Sequence, residues 1–378
     1  MMKKIIAVGL DAWQSRFEKK VLEHFQNKIE LEFWSIGCWV YDDWNRTDEV
    51  TKYRNGVLYR YINNTSTVLR NTIKYARKDV IFLFDVGYIG RKINALQILI
   101  KILGGKYIVS FVPAGVGDSR MYDALPDKRL IDIFPPEAVF ISNISHKGFL
   151  PSKRACETWK IVATCSLNYE VFLKNEKQGN ARMVESKYVV FLDENLPFHI
   201  EAIVNKRPWL QDAKKYFEQL NKLFDLIENI FSDKGIEVVI AAHPAAKSDL
   251  NKYDFAGRKI IFDNTVNLVK YAEFAIAYAC TSVDFAVLYD KPVLYYTSED
   301  LDTCNVNTTK GINYKIFKDF FNPKYIKIDK IEENIQIEDY LFWDKEKYTF
   351  YKENYLYSKE LRGRSHFEII MDYVLGRG

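Results

Sequence analysis

A chain of 378 residues is longer than one ordinary core organises, so length alone predicts two domains of about 150–200 residues each. Its 54 Lys and Arg nearly balance 50 Asp and Glu, and the net charge of +4 excludes a dedicated nucleic-acid binder while leaving a mild bias toward anionic partners. Apolar residues at 48% supply ample core, and the aromatic share of 15% reads as the mark of an A/T-rich coding sequence rather than of carbohydrate or membrane-surface contact.

Met1-Met2-Lys3-Lys4 followed by the apolar run Ile5–Leu10 imitates a signal peptide. The run stops at Asp11 without a small-residue cleavage site, so it is read as the first strand of the fold. Strand Lys4–Leu10 is followed by helix Trp13–Gln26, strand Ile29–Ile36, helix Val68–Arg77, strand Asp79–Asp85, helix Lys92–Leu103, strand Tyr107–Pro113 and strand Glu137–Ser142. From Ser166 to Ser186 the periodicity dissolves around Lys174-Asn175-Glu176-Lys177-Gln178-Gly179-Asn180, which predicts a linker. A second series runs through strand Tyr188–Leu192, helix Pro208–Ser232, strand Ile236–Ala242, strand Lys259–Phe262, helix Val266–Ala272, strand Phe274–Ala279, helix Val283–Tyr289 and strand Val293–Tyr296.

Such alternation implies parallel strands joined by helical crossovers, hence an α/β protein of two doubly wound domains with a central cleft. The expected organisation is an N-terminal domain over 1–165, a linker over 166–186, a C-terminal domain over 187–330, and C-terminal helices within 331–378 that pack back across the domain junction. Cys38, Cys156, Cys165, Cys280 and Cys304 are odd in number and lack Cys-x-x-Cys spacing, as reduced cytosolic thiols would be. His24, His146, His199, His243 and His366 are too scattered for a zinc site. No run approaches the ~20 apolar residues of a membrane-spanning helix, so a cytoplasmic location is expected, with any membrane contact peripheral.

Two stretches carry the chemistry. The short apolar strand ending in Ala241-Ala242-His243-Pro244 delivers an imidazole to the carboxyl end of a parallel sheet, where open α/β folds bind ligands. Some thirty residues on, Thr281 and Ser282 fall at the N-cap of a predicted helix, where free N–H groups and two hydroxyls would meet an anion. Asp284-Phe285-Ala286-Val287-Leu288 and Lys291-Pro292-Val293-Leu294-Tyr295-Tyr296 follow, Asp284 being read as a complement to the helix dipole.

That order of motifs resembles the carboxy-terminal half of glycosyltransferases of the two-Rossmann (GT-B) architecture, nearest to bacterial sialyltransferase-like enzymes and the CDP-glycerol glycerophosphotransferases. The resemblance covers about the last half of the chain. It implies that His243 contacts the donor phosphate or assists the leaving group, with Pro244 beside it, and that Thr281 and Ser282 bind the same phosphate. It also implies two Rossmann-like domains.

The loop Leu192-Asp193-Glu194-Asn195-Leu196-Pro197-Phe198-His199 follows the first strand of the second domain, a position that normally faces the ligand, so Asp193, Glu194 and Asn195 are expected to contact donor or acceptor. Inverting transfer also needs a base within reach of the acceptor hydroxyl. Asp11, Asp85 and Asp118 sit at strand ends of the first domain, with Asp11 ranked first and Asp118 second on position alone. The sialyltransferase-like pair of acids before a Gly is missing, since Asp42-Asp43 runs into Trp44. There is no Gly-x-x-x-x-Gly-Lys-Ser/Thr loop and no Gly-x-Gly-x-x-Gly after the first strand, which removes kinase and dinucleotide-dehydrogenase readings. The lone Asp300-Leu301-Asp302 reads as a solvated loop rather than a metal site.

The expected protein is therefore an inverting, metal-independent and cofactor-free glycosyltransferase of bacterial surface polysaccharide. Its partners would be a nucleotide-sugar donor, a CMP-sugar first, and a glycan or lipid-linked glycan acceptor. Glycerophosphate transfer from CDP-glycerol, UDP-sugar transfer, UDP-sugar 2-epimerisation and a non-catalytic nucleotide-sugar-binding module are the alternatives.

Overall fold

The computed structural model describes residues 4–9, 16–40, 52–54, 56–85, 91–111, 125–142, 150–198, 210, 212–248, 250–278, 280–304, 318, 320–332 and 335–377. The chain divides into two compact units, one holding the described residues through Leu167 together with those from Tyr357 onward, the other Asn168–Leu356. Each is built on its own largely parallel sheet.

The first unit contains strands β1 (Lys4–Gly9), β2 (Glu30–Ser35), β3 (Lys52–Arg54), β4 (Val57–Tyr61), β5 (Val80–Phe84), β6 (Lys106–Phe111), β7 (Ala138–Ile141) and β8 (Ile161–Ala163). They lie in the order β3-β4-β2-β1-β5-β6-β7-β8, all parallel except β3 against β4. Between them come α1 (Arg16–Phe25), the single turn α2 (Gly37–Val40), α3 (Thr65–Tyr75), α4 (Arg91–Ile102) and α5 (Lys153–Thr158). The twofold alternation of each strand sends successive side chains to opposite faces. Ile6, Val8, Phe82 and Phe84 join Val68 of α3, Leu96 of α4 and Ala155 of α5 on one face. Ile5, Ala7, Phe33 and Leu83 join Val21 and Phe25 of α1 on the other.

Two elements of this unit lie outside the periodic reading. In the β3–β4 hairpin Arg54 lies opposite Val57, and Gly56 has φ 79°, the left-handed backbone that glycine adopts at little cost. The other surprise is polar and buried. Glu32 on β2 is fully enclosed, with Lys4 Nζ 2.6 Å away, the Trp34 indole N–H donating to it at 2.8 Å, and Arg60 paired with it. Burial alone would raise this carboxyl, but the hydrogen bonds from Lys4, Trp34 and Arg60 outweigh it and hold the group below its ordinary range.

The second unit takes the rest of the strands, β9 (Tyr188–Leu192), β10 (Glu237–Ala242), β11 (Ile260–Phe262), β12 (Ala275–Ala277), β13 (Val293–Thr297), β14 (Ile326–Lys327) and β15 (Leu341–Phe342). The order is β11-β10-β9-β12-β13-β14, with β15 antiparallel to β13. Its helices are α6 (Leu167–Gln178, all but its first residue in this unit), α7 (Ala213–Ile230), α8 (Thr265–Tyr271), α9 (Val283–Leu288), α10 (Glu299–Cys304) and α11 (Lys345–Tyr351). The long α7 starts where Asp212 accepts from Lys215 N at 3.0 Å, an N-cap. It buries Tyr216, Phe217, Leu220, Leu223, Phe224 and Ile227, a 3.6-residue stripe against Val189, Phe191, Val238 and Ile240 of the sheet.

Two sequence expectations are corrected here. The predicted linker contains α6, which ends at Gly179 with φ 60° and whose Asn175 donates to Tyr289 Oη at 2.9 Å. Its few apolar residues, Tyr169 and Phe172 among them, hide a helical stripe inside a polar run. Asp300-Leu301-Asp302 lies in helix α10 rather than a loop: Asp300 pairs with Lys215 at 3.0 Å and Asp302 accepts from Thr297 Oγ1 at 2.8 Å. Among the described residues no three His, Cys, Asp or Glu side chains converge as a metal set, and no helix is long and apolar enough to cross a membrane.

The chain ends back in the first unit with α12 (His366–Leu375), started by a capping box between Ser365 and Glu368. Phe367, Ile369, Ile370 and Val374 complete the α1 face of the sheet. His366 is fully buried, with Ser110 Oγ 2.8 Å from Nε2 and Thr164 Oγ1 2.7 Å from Nδ1. Thr164 donates its own proton to Ile141 O at 2.8 Å, so it accepts from His366 Nδ1–H, and Nε2 is left to accept from Ser110. The pinned imidazole is therefore neutral; burial, with His24 nearby, pushes it down to about 3.

Candidate functional site

The second sheet changes direction of growth at β9. From this first strand the chain adds β10 and β11 on one side and β12 and β13 on the other, so β9/β12 is the switch point of an open parallel sheet. Three connections leave the carboxyl edge there: 193–195 after β9, His243-Pro244 after β10, and 280–282 after β12. Register puts Leu192 level with Ala241, and Phe191 level with Ile276. At about 4.8 Å per strand spacing, one small ligand can reach all three connections.

Asp193 is the joint between two of them. Its N–H continues the ladder to Ala241 O at 3.1 Å, its Oδ2 accepts from His243 N at 3.0 Å, and its Oδ1 accepts from Asn195 N at 2.9 Å. Burial raises this carboxyl, only partly offset by the His243 and Asn195 amides that donate to it. Asn195 takes the left-handed backbone at φ 55°, which asparagine tolerates, and its side-chain oxygen accepts from Tyr253 Oη. Asn195 and Glu194 are both buried. The sequence expected Asp193, Glu194 and Asn195 to contact donor or acceptor; in the structure Asp193 and Asn195 tie this loop to the start of the next and to Tyr253, with Glu194 buried beside them.

His243 is half-buried and Pro244 exposed. The turn continues as a 3-10 helix over Pro244–Ser248, with Ala246 N donating to His243 O at 2.9 Å. Pro at its first position loses no hydrogen bond, because that N–H would have no partner in the turn.

The third connection departs from expectation. Ser282 is the N-cap of α9, but its backbone is already helical at φ −68°, ψ −13°, and its hydroxyl makes no capping bond. The chain winds as a 3-10 turn from Cys280. Val283 N donates to Cys280 O at 3.2 Å, Asp284 N to Thr281 O at 3.1 Å, and Phe285 N to Ser282 O at 3.1 Å. The three amides that a helix start was expected to offer an anion are thus occupied, and the available groups of this turn are the exposed Thr281 and half-buried Ser282 hydroxyls. Asp284 holds the turn from below. It is buried, its Oδ2 accepts from Asn168 Nδ2 at 2.9 Å and its Oδ1 from Tyr351 Oη at 2.8 Å, while Asn168 also donates to Thr281 O at 2.8 Å. Nothing in the local sequence pointed to Asn168, which lies in the stretch read as linker.

Of the first-unit acids, Asp85 follows β5, its N–H donating to Val8 O at 3.1 Å. Its side chain is exposed, and the protein atoms packed around it push its carboxyl upward from the ordinary range. Asp11, Asp118 and His199 lie outside the described residues.

No protein-family model matches the chain, and no curated protein does. Solved structures do. The UDP-GlcNAc 2-epimerase of Methanocaldococcus jannaschii is 14% identical, with 100% of both chains covered and a TM-score of 0.47. The UDP-GlcNAc 2-epimerase of Neisseria meningitidis, bound to UDP-GlcNAc, is 11% identical over 99% of this chain and 100% of that one, with a TM-score of 0.44. A UDP-forming α,α-trehalose-phosphate synthase of Burkholderia vietnamiensis is 8% identical over 100% and 96%, with a TM-score of 0.41. Identities this low, with TM-scores under 0.5, assign no activity to the chain.

Proposed function

We propose that the carboxyl edge of the second sheet binds a nucleotide-activated sugar and that the protein is a metal-independent inverting glycosyltransferase of bacterial surface polysaccharide. The observation that carries this reading is the convergence of His243, Thr281 and Ser282 on the β9/β12 switch point. In the proposed complex the two hydroxyls donate to the donor phosphate, and His243 stabilises the charge that develops on the leaving nucleotide. Asp193 and Asp284 act as positioning residues, one fixing the His243 turn and the other the Thr281–Ser282 turn. Asp11 is the proposed general base, with Asp118 next, taking the acceptor proton as the glycosidic bond forms.

The test begins with thermal shift in CMP, CDP, UDP and GDP, because a ligand that binds the native state raises apparent stability by mass action. Pyrimidine nucleotides should stabilise the protein, a CMP response pointing to CMP-sugar transfer and a UDP response to UDP-sugar transfer or 2-epimerisation. Turnover with the corresponding sugar nucleotide then separates enzyme from binding module. No shift with any of the four would overturn the reading. For the base, Asp11→Asn should keep nucleotide affinity while turnover falls about a hundredfold or more; unchanged turnover moves the role elsewhere.

A further inference from the structure

Outside the second sheet's edge, one surface of the first unit is unusual in both polarity and charge. Ten large apolar side chains are exposed among the described residues, and six of them share one layer: Leu69 and Ile73 on α3, Ile102 and Leu103 at the end of α4, and Leu130 and Ile133 on the 3-10 turn Leu130–Ile133. α4 adjoins both α3 and this turn, and their inward sides, through Val68, Ile93, Leu96, Ile100 and Ile131, pack on the same face of the sheet. The ends of α3 and α4 are side by side, since a Cβ added to Gly105 would sit 3.1 Å from Ala76 Cα. Their outward sides therefore lie on the same side of the sheet, with α4 between α3 and the turn.

Cations are interleaved with the apolar groups. Arg70, Lys74, Arg77 and Lys78 are exposed on α3 and just beyond it, and Lys128 and Arg129 are exposed beside Leu130. The acids of the same stretches offer little balance. Asp132 is buried and caps the turn through Arg129 N at 2.6 Å, Glu137 is half-buried against Lys101 at 2.8 Å, Asp79 is half-buried, and the exposed Asp127 lies 3.7 Å from Lys153.

We propose that this layer is a docking surface for an anionic phospholipid membrane, an inference independent of the nucleotide-sugar reading. Isolated exposed apolar residues are ordinary, but a grouped set rimmed by charge of one sign marks an interaction surface. A bilayer with anionic headgroups offers both complements, negative charge at the surface and hydrocarbon just beneath it. A second copy of the chain fits less well, because a twofold contact would bring this cationic face against itself. Nucleic acid would satisfy the cations and leave the Leu and Ile side chains without a role.

The full-length protein is sedimented with vesicles of phosphatidylcholine alone and with phosphatidylcholine–phosphatidylglycerol vesicles, at low and high salt. Binding is expected to the anionic vesicles, weakened by salt. Each surface cation strengthens such partitioning by about fivefold, so Arg70→Gln with Lys74→Gln should weaken it by about 25-fold. Leu69→Ser with Ile73→Ser should weaken it as well, at unchanged Tm, since both side chains are already exposed. Equal partitioning to both vesicle types, or none to either, overturns the proposal. So does a wild-type dimer that the Leu69→Ser/Ile73→Ser change converts to monomer without any vesicle binding, or nucleic-acid binding that the same change leaves intact.

Discussion

Asp284 illustrates how a single carboxylate can matter to a ligand it does not touch. It is buried and bonded to Asn168 and Tyr351, and through Asn168 it fixes the carbonyl of Thr281. Asp284→Asn cannot accept equally from both donors, and the Thr281–Ser282 turn should loosen. We expect nucleotide affinity to fall about tenfold, the equivalent of about 1.4 kcal/mol, measured by calorimetric titration; unchanged affinity in a folded variant would show that the turn is not part of the binding surface. His366 makes a different prediction. Its folded-state value lies near 3, below the ordinary 6.5, so the unfolded chain takes up the proton first as pH falls. The native state should therefore lose up to about 1.4 kcal/mol per pH unit from this group below pH 6.5 and toward 3. Denaturant titrations at pH 7.5, 6 and 5 on wild type and His366→Gln check this. The variant should be less stable at pH 7.5 and show a flatter dependence; parallel curves would mean that His366 takes up its proton as readily in the native state as in the unfolded chain.

At the scale of elements, the strands were legible wherever an apolar run of four to six residues had only one place to go, as with Val80–Phe84 and Tyr188–Leu192. The long α7 was legible for its 3.6-residue stripe, and Leu220 at its centre is fully buried. Leu220→Ala should cost about 2–5 kcal/mol, read from chemical denaturation of the second unit; a loss under ~1 kcal/mol would contradict the packing of α7 on β9 and β10. Other elements were less legible, for different reasons. The β3–β4 hairpin carried an explicit signal in Asn55-Gly56, but β3 is only three residues long and β4 mixes Arg60 into its run. Helix α6 is polar enough to imitate a linker, though Gly179 marks its end. The position of the start of α9 was legible, with Ser282 before Val283, but its conformation was not. Whether Ser282 caps a helix with its side chain or continues a 3-10 turn depends on a backbone dihedral that the tertiary setting decides.

For the whole molecule, sequence showed that two parallel-sheet units exist and which strand ends carry polar residues, but not how those ends are wired together. The bond from His243 N to Asp193 spans 50 residues of chain and exists because β9 and β10 pair in one register. Asn168 and Asp284 are 116 residues apart and meet only through the fold. The chain's return to the first unit in α12 is of the same kind, since Ser110 and His366 are separated by 256 residues. In the proposed complex a nucleotide occupies the edge where β9, β10 and β12 end. Hydrogen exchange of the full chain, with and without the nucleotide that raises its Tm, measures this directly. Exchange should slow in 193–196, 243–247 and 280–284, with β3 and β4 unchanged; a nucleotide that stabilises the protein while leaving those three segments at their free rates would place the site elsewhere.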